Sequence, residues 1–456
     1  MKLLRRAPEM QLLGRRHEAS QLMQFHLPPL IVVPGLVPGI HVLCAAEKAW
    51  MAGSSPAMTS WRPYEDYIIF LYKPASLEYA LHSHLDSQID RRRPKRSTPM
   101  RTHSIAAIPA DGIGPEVISA GVRVLEALAK RSGDLAFNVK TFDWGSDYYK
   151  KHGVMMPADG LAELKKFDAI YFGAVGAPDV PDHITLWGLR LPICQGFDQY
   201  ANVRPTKILP GVASPLRNVG VGDLDWVIVR ENSEGEYAGM GGRAHKGLPE
   251  EVGTEVAVFT RVGVTRIMRY AFQLAKSRPR KLLTVVTKSN AQRHGMVMWD
   301  EIAAEVAGEF PDVSWDKMLV DAMTVRMTLH PKSLDTIVAT NLHADILSDL
   351  AGALAGSLGV APTGNIDPQR RFPSMFEPIH GSAFDITGKG IANPIATFWT
   401  GVQMLEHLGE KDAASRLMAA VERVCAAGVL TPDVGGKATT KEVTDAVIDA
   451  IHGSNV

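Results

Sequence analysis

Ser104–Arg131 reads SIAAIPADGIGPEVISAGVRVLEALAKR, and the order of its parts decides the fold class. Ser104–Pro109 is a short apolar run, the pattern of a buried strand. Gly112 and Gly114 follow, and Pro115 suits the first turn of a helix. An amphipathic helix is predicted over Pro115–Arg131. Strand, glycine turn and helix in immediate succession is the unit from which α/β proteins are built. The turn itself, ADGIGPE at Ala110–Glu116, has two readings. It brings the backbone close to a ligand, or it is simply a tight strand-to-helix connection. Only two glycines of a dinucleotide fingerprint are present.

The same alternation continues downstream. Asp168–Gly173 (DAIYFG), Trp226–Arg230 (WVIVR), Leu282–Thr287 (LLTVVT) and Asp335–Ala339 (DTIVA) predict buried strands. Val264–Lys276, Gly295–Phe310 and Ala344–Leu358 predict further helices. No internal repeat is visible. Ligands in such folds gather where strands end, so the polar residues just after these strands are the candidates.

The chain has 456 residues, enough for two or three domains, with 49 basic and 49 acidic side chains. Zero net charge argues against a general nucleic-acid binder, which needs a basic field. Three cysteines (Cys44, Cys194, Cys425) exclude a disulfide scaffold and suit a reducing cytoplasm. No Cys/His spacing suggests zinc. Residues 1–99 read differently. Proline recurs every few residues over Pro28–Met58, and no period survives. Leu27–Ala46 is apolar, yet Pro28, Pro29, Pro34 and Pro38 would break a membrane span repeatedly. The basic stretch before it is too long for a signal peptide, and nothing after it looks secreted. RRRPKR at Arg91–Arg96 reads as a solvated linker, with no aromatic platform for nucleic acid behind it. Residues 1–99 are therefore expected to be a disordered or spurious extension, with the working protein starting near Met100.

Several motifs carry chemistry. Arg190, Arg204 and Arg230 stand at strand ends or in loops, and guanidinium binds carboxylate bidentately. A small dicarboxylate suits the set, although each alone reads as a surface charge. Tyr237 follows a turn, and Lys288 ends a strand. That lysine reaches solvent, or it shares proton transfers with the tyrosine if burial lowers its pKa. Asp345 and Asp349 lie four residues apart in HADILSDLAG, which puts both carboxylates on one helix face, roughly 6 Å apart. The pair is either a wet helix face or an oxygen site for Mg²⁺ or Mn²⁺, to which Asp321 could add a third carboxylate. Phe376–Pro394 reads FEPIHGSAFDITGKGIANP. It is a structural loop, or it wraps an adenosine with a carboxylate on the ribose hydroxyls. Asp385 there would repel a 2′-phosphate, favouring NAD over NADP.

These motifs together resemble the metal-dependent β-decarboxylating dehydrogenases, a family that includes the isopropylmalate, isocitrate, homoisocitrate, tartrate and D-malate enzymes. The carriers are DGIGPE (111–116), GAVG (173–176), LR (189–190), NVRP (202–205) and Lys288 with Asn290. DILSDLAG (345–352), GSLG (356–359), EPIHGSA (377–383) and GKGIANP (388–394) complete the set. The match spans 104–456 and leaves 1–99 out.

The resemblance implies an α/β, isopropylmalate dehydrogenase-like two-domain fold with a large mixed sheet, not an ordinary Rossmann fold. Residues 100–199 and 356–456 would form the NAD-binding domain, and 200–355 the dimerisation and metal-site domain. Arg190, Arg204 and Arg230 would hold the substrate carboxylates, and Asp321, Asp345 and Asp349 the metal. Tyr237 and Lys288 would be the proton-transfer pair. Glu377, His380, Gly381, Ser382, Asp385 and Asn393 would contact NAD. The family uses Mn²⁺ or Mg²⁺, often with K⁺. It forms homodimers, in which Lys288 and Asp321 would enter the second copy's site.

Substrate choice is expected from the residues before Arg190, His183–Leu189 (HITLWGL). Trp187 should fill part of a pocket that is leucine-lined in isopropylmalate enzymes. Ile184 stands where isocitrate enzymes present a serine. Both departures point to a four-carbon acid, and the runs 142–153, 176–205 and 229–239 look most like the tartrate and D-malate branch. The implied reaction is NAD-dependent oxidation at C2, with β-decarboxylation to pyruvate in the case of D-malate. The alternatives are 3-isopropylmalate oxidation and a non-catalytic regulatory paralogue. The intact set Tyr237, Lys288, Asp321, Asp345 and Asp349 weighs against the latter.

Overall fold

Short runs of β-branched and small apolar residues become strands. In chain order they are β1 (Arg101–Ala110), β2 (Leu135–Thr141), β3 (Ala169–Ala174), β4 (Ala201–Lys207), β5 (Asp225–Glu231) and β6 (Gly235–Ala244). Then come β7 (Val252–Val258), β8 (Leu282–Thr287), β9 (Ser314–Leu319), β10 (Thr336–Ala339), β11 (Pro362–Ile366) and β12 (Ser374–Pro378). The longer helices are α1 (Gly114–Ser132), α2 (Arg261–Ser277), α3 (Gly295–Ala307), α4 (Val320–Leu329), α5 (Asn341–Leu354), α6 (Ile395–Leu408), α7 (Lys411–Ala426) and α8 (Thr440–His452). These come from a computed structural model that describes residues 99–453. The expectation placed on 1–99 therefore falls, but for Pro99, outside the described residues.

Every strand and helix read from the sequence is present. Helix ends differ by up to four residues: α5 stops at Leu354 against the predicted Leu358, and both α2 and α5 start three residues before the predicted Val264 and Ala344. For α5, the reason is Thr340, whose hydroxyl accepts the His343 N–H at 3.3 Å and caps the helix earlier.

Ten strands form one mixed sheet in the order β2-β1-β3-β12-β11-β4-β5-β10-β8-β9. Its two flanks are parallel, while β11 runs antiparallel to both β12 and β4, and β4 to β5. The antiparallel centre sets it apart from an ordinary doubly wound sheet. The β11–β4 pairing is the seam between the two flanks, so the sheet runs continuously across the two domains expected from the resemblance. β6 and β7 form a separate hairpin, with Met240, Val252 and Val256 exposed.

Helices cover both faces. On one face α1, α6, α7 and α8 pack over the first flank, and α2 and α3 over the second. On the other face α4 and α5 cover the second flank, while short helices and turns around Trp144, Leu164 and Phe197 cover the first. Fully buried Phe172, Phe272, Phe376 and Phe398 anchor these layers, each contributing about 1.5–3 kcal/mol by burial. Among the described residues no helix is long and apolar enough to cross a membrane.

Alternation at the seam positions the site. Cross-strand partners share a face, and residues two apart on a strand do too. Asn365 on β11 pairs with Asn202 on β4, and Asn202 pairs with Arg230 on β5. Thr363 pairs with Glu377 on β12. Arg204 stands two residues after Asn202. One face of the seam is thus polar, while Val203, Val229 and Phe376 turn to the apolar side.

Candidate active site

The polar face of the seam lines a cavity of about 240 Å³ together with α5 and the turn before Arg190. Arg190, Arg204 and Arg230 all border it and are 8%, 5% and 2% exposed, so none is the surface charge that each alone suggested. Arg190 comes from a π-helical turn, Leu186–Arg190, that follows β3. Its Nε donates to Glu377 Oε1 at 2.8 Å. Arg230 donates through Nη1 to Asp345 and through Nε to Asn341 Oδ1 at 2.8 Å. Arg204 lies 3.4 Å from the same Asp345 oxygen and donates to Ser348 Oγ at 2.5 Å. Asp345 and Asp349 border the cavity from one face of α5, as their spacing predicts.

Burial and neighbouring charge set the ionisation. Burial, reinforced by the like charge of Arg230, pushes the Arg204 pKa down to about 9. Burial also opposes the charge on Arg190, but the Glu377 carboxylate outweighs it and raises that pKa. For Asp345 burial works upward, yet Arg230 and Arg204 hold the carboxyl below its ordinary value. Asp349 moves the other way, raised by burial and by the charge of Asp345. Tyr237 borders the same cavity, with its hydroxyl 3.4 Å from Asp345 Oδ2 and the Arg230 guanidinium over its ring at 5.2 Å. Burial, then Asp345, raises the phenol pKa and keeps the proton on it.

Lys288 and Asp321 are not among the residues bordering this cavity. They bind each other at 2.5 Å, and Asp321 is largely exposed. Among the described residues no cluster of three His, Cys, Asp or Glu side chains is placed to hold a metal. Within this chain the donor set is therefore the pair Asp345 and Asp349. It suits a hard cation: both ligands are oxygen, Asp349 accepts no hydrogen bond from a described residue, and burial together with the Asp345 charge raises its pKa, a cost to the carboxylate that a cation would offset.

The residues expected to contact NAD divide into two groups. His380, Gly381 and Glu377 border the cavity. The Nε2 of His380 is buried without a hydrogen-bond partner, an atom left for a ligand to satisfy, and burial lowers its pKa. Glu377 is already engaged with Arg190. Asp385 is exposed on the following stretch. Asn393 is buried, donating to Asp433 Oδ2 at 3.0 Å and accepting the Ile395 N–H that opens α6. The Ser382 carbonyl accepts the Ile113 N–H at 2.8 Å. This contact joins the two glycine-bearing motifs. Gly112 sits at φ +59°, and a Cβ there would overlap that same carbonyl, so the glycine is required by the packing of the two loops.

The cavity wall at the turn before Arg190 is Leu186, where the sequence reading put Trp187. Trp187 is 41% exposed and lies against Gly239 of β6, where a Cβ would stand 2.6 Å from the ring. The wider π turn changes the phase of successive side chains, so the neighbouring residue faces in. Sequence reasoning also missed Asn365, Asn232 and Thr363. None of the three lies in a run read as a strand from the sequence: Asn232 follows Trp226–Arg230, and the stretch that forms β11 carried no strand signal of its own.

Comparison with known proteins adds four findings. A model of the isocitrate/isopropylmalate dehydrogenase family matches residues 104–447. The chain is 85% identical over 357 residues to a probable tartrate dehydrogenase/decarboxylase of Agrobacterium vitis, covering 78% of this chain and 100% of that one. It is 52% identical over 359 residues to the decarboxylating D-malate dehydrogenase of Escherichia coli strain K12, covering 77% and 99%. The crystal structure of isocitrate dehydrogenase from Methylococcus capsulatus superposes with a TM-score of 0.69 at 35% identity, over 77% of this chain and 99% of that one.

Proposed function

The chain belongs to the isocitrate/isopropylmalate dehydrogenase family, and from that membership we propose that it oxidises and β-decarboxylates a four-carbon 2-hydroxy dicarboxylic acid, tartrate, D-malate or both. The observation that carries this is the cavity itself. Three buried arginines face two carboxylates on one helix turn, beside a protonated tyrosine. The names of the relatives supply the substrate class, tartrate for one and D-malate for the other.

The charges favour a dianion entering together with a divalent cation. Arg190, Arg204 and Arg230 balance Glu377, Asp345 and Asp349, three against three. A dicarboxylate alone would leave the cavity at minus two, and a cation alone at plus two. Members of this family depend generally on NAD and a divalent metal. When bound, the metal supplies Lewis acidity at the substrate hydroxyl and NAD supplies the hydride acceptor. Asp345 and Asp349 would hold the metal, with Asp321 from a second copy of the chain. His380 and Gly381 would border the cofactor.

The chain's own side chains do the rest. Arg190, Arg204 and Arg230 fix the two carboxylates, so that C2 meets its partners in one orientation. Lys288, as its neutral amine, takes the hydroxyl proton in the site shared with the second copy and becomes the ammonium in doing so. After CO₂ leaves, Tyr237 delivers its proton to C3. Exposed Val325, Leu329, Leu342 and Ile346 on α4 and α5 supply apolar surface for the expected homodimer. The enzyme acts in the cytoplasm, with K⁺ as a monovalent activator.

The test is NADH formation by the full chain with Mn²⁺ and K⁺ on D-malate, both tartrates, 3-isopropylmalate and isocitrate. The four-carbon acids should have the highest kcat/KM. Preference for isopropylmalate would keep the chemistry and refute the substrate class.

A further inference from the structure

We infer that Asn365 is the positioning residue of the acid site, setting the directions of Arg190 and, through Asn202, of Arg204. This rests on the proposed reading in taking those arginines as acid-binding.

Asn365 is fully buried on β11, at the seam where the two flanks of the sheet meet. Its amide uses both ends. Oδ1 accepts from Asn202 Nδ2 at 2.7 Å, Asn232 Nδ2 at 3.0 Å and Arg190 Nη2 at 3.4 Å. Nδ2 donates to Glu377 Oε1 at 2.8 Å and to the Met375 carbonyl at 3.3 Å. Only one orientation satisfies these partners, because three are donors and two are acceptors. The amide thus joins β4 and the residue that follows β5 on one side to β12 on the other.

Two short paths lead from it to the acid-binding guanidiniums. On one, Glu377 Oε1 takes Asn365 Nδ2 and Arg190 Nε together. On the other, Asn202 gives its N–H to Asn365 while its own Oδ1 takes Arg204 Nε at 2.8 Å. An uncharged group suits this place: a carboxylate would compete with the substrate for the arginines, and a hydroxyl is too short to reach both flanks. The residue touches none of the reacting atoms in this scheme. Its effect is on where the guanidiniums point, and a misplacement of about 1 Å there can cost on the order of a hundredfold in rate.

The experiment compares wild type and Asn365→Ser as full chains. Calorimetry measures D-malate binding with Mn²⁺ present, and NAD⁺ binding separately. The variant should bind D-malate at least about tenfold more weakly and NAD⁺ unchanged within about threefold. Combined with Arg204→Lys it should lose less than the product of the two single effects, since both act on one guanidinium. Wild-type D-malate affinity in Asn365→Ser, equal losses for D-malate and NAD⁺, or full additivity would each overturn the inference. If Asn365→Ser does not fold, Asn365→Gln, which keeps an uncharged amide but displaces both of its ends, takes its place with the same readouts. A wild type that binds D-malate without forming NADH would defeat the proposed activity, while the affinities still decide the role of Asn365. One that binds no dicarboxylate defeats both.

Discussion

Arg190 Nη2 and Glu377 Oε1 lie 2.8 Å apart, both side chains buried, although 187 residues separate them in the chain. The resemblance assigns Glu377 to NAD, whereas the geometry engages it with the acid-binding arginine. Glu377→Gln keeps the acceptor oxygen and removes the charge. Arg190 then has more of its field free for substrate, and the KM for the acid should fall several-fold while that for NAD⁺ stays constant. Stability should drop, because a buried guanidinium loses its counter-charge. A change in the NAD⁺ KM alone would return Glu377 to the cofactor.

Tyr237→Phe should separate the two halves of the reaction. The phenol keeps its proton through burial and the neighbouring Asp345 carboxylate. Without it, hydride transfer should persist, while protonation of the decarboxylated product should slow by about 10²- to 10⁴-fold. In a single turnover on D-malate, NADH and CO₂ should still appear together while pyruvate lags behind both. Equal losses in all three would mean that Tyr237 serves oxidation as well.

Asp349 is repelled by Asp345 one helical turn away. Asp349→Asn should therefore leave the metal-free protein equally stable or more so. The same change should abolish most of the rise in Tm that Mn²⁺ gives wild type, a rise worth about 2.7 kcal/mol at a hundred times Kd. Calorimetric melts with EDTA and with Mn²⁺ compare the four states directly.

Leu186 faces the cavity and Trp187 does not. Leu186→Ala should shift preference toward the bulkier 3-isopropylmalate, by about 10- to 200-fold in relative kcat/KM. Trp187→Ala should leave the ratio of substrates nearly unchanged and lower kcat for all of them, since Trp187 braces Gly239, two residues from Tyr237. A larger shift from Trp187→Ala would restore the sequence-based assignment.

Glu231 gives a pH dependence of stability. Burial lifts its pKa from 4.5 to about 7, against hydrogen bonds from Ser233 and Glu234 that favour the charged form. The native state therefore binds this proton more tightly than the unfolded chain does. The contribution is fully present below about pH 4.5 and is lost as pH rises through about 7. It is worth roughly 3 kcal/mol at most, since each tenfold gain in proton affinity amounts to about 1.36 kcal/mol. Glu231→Gln should flatten this part of a Tm–pH profile between about pH 5 and 8. An unchanged profile would place the titration elsewhere.

Much of the site was legible because its signals are local. The i, i+4 spacing of Asp345 and Asp349 puts them on one face of α5 whatever packs around it. Arg230 ends a run that reads as a buried strand, while Arg204 was marked only by the NVRP motif, with no strand read around it. The strand–turn–helix of Ser104–Arg131 needed only its glycines and periodicity to be recognised.

The elements of the chain, and the chemical groups that each one carries, thus follow from the order of its amino acids. Short-range periodicity and backbone sterics dictate both. Which of those groups meet was settled only by the folded arrangement. β11 lies between β12 and β4, and that placement joins Asn365 to Asn202 across 163 residues and Glu377 to Arg190 across 187. The packed turn made Leu186 rather than Trp187 the wall of the cavity, and the sheet order left Lys288 with Asp321 outside that cavity. The difference is one of range. A side chain's period follows from its own few neighbours, but its partners depend on strand order, and strand order is set by how the whole chain buries its apolar surface.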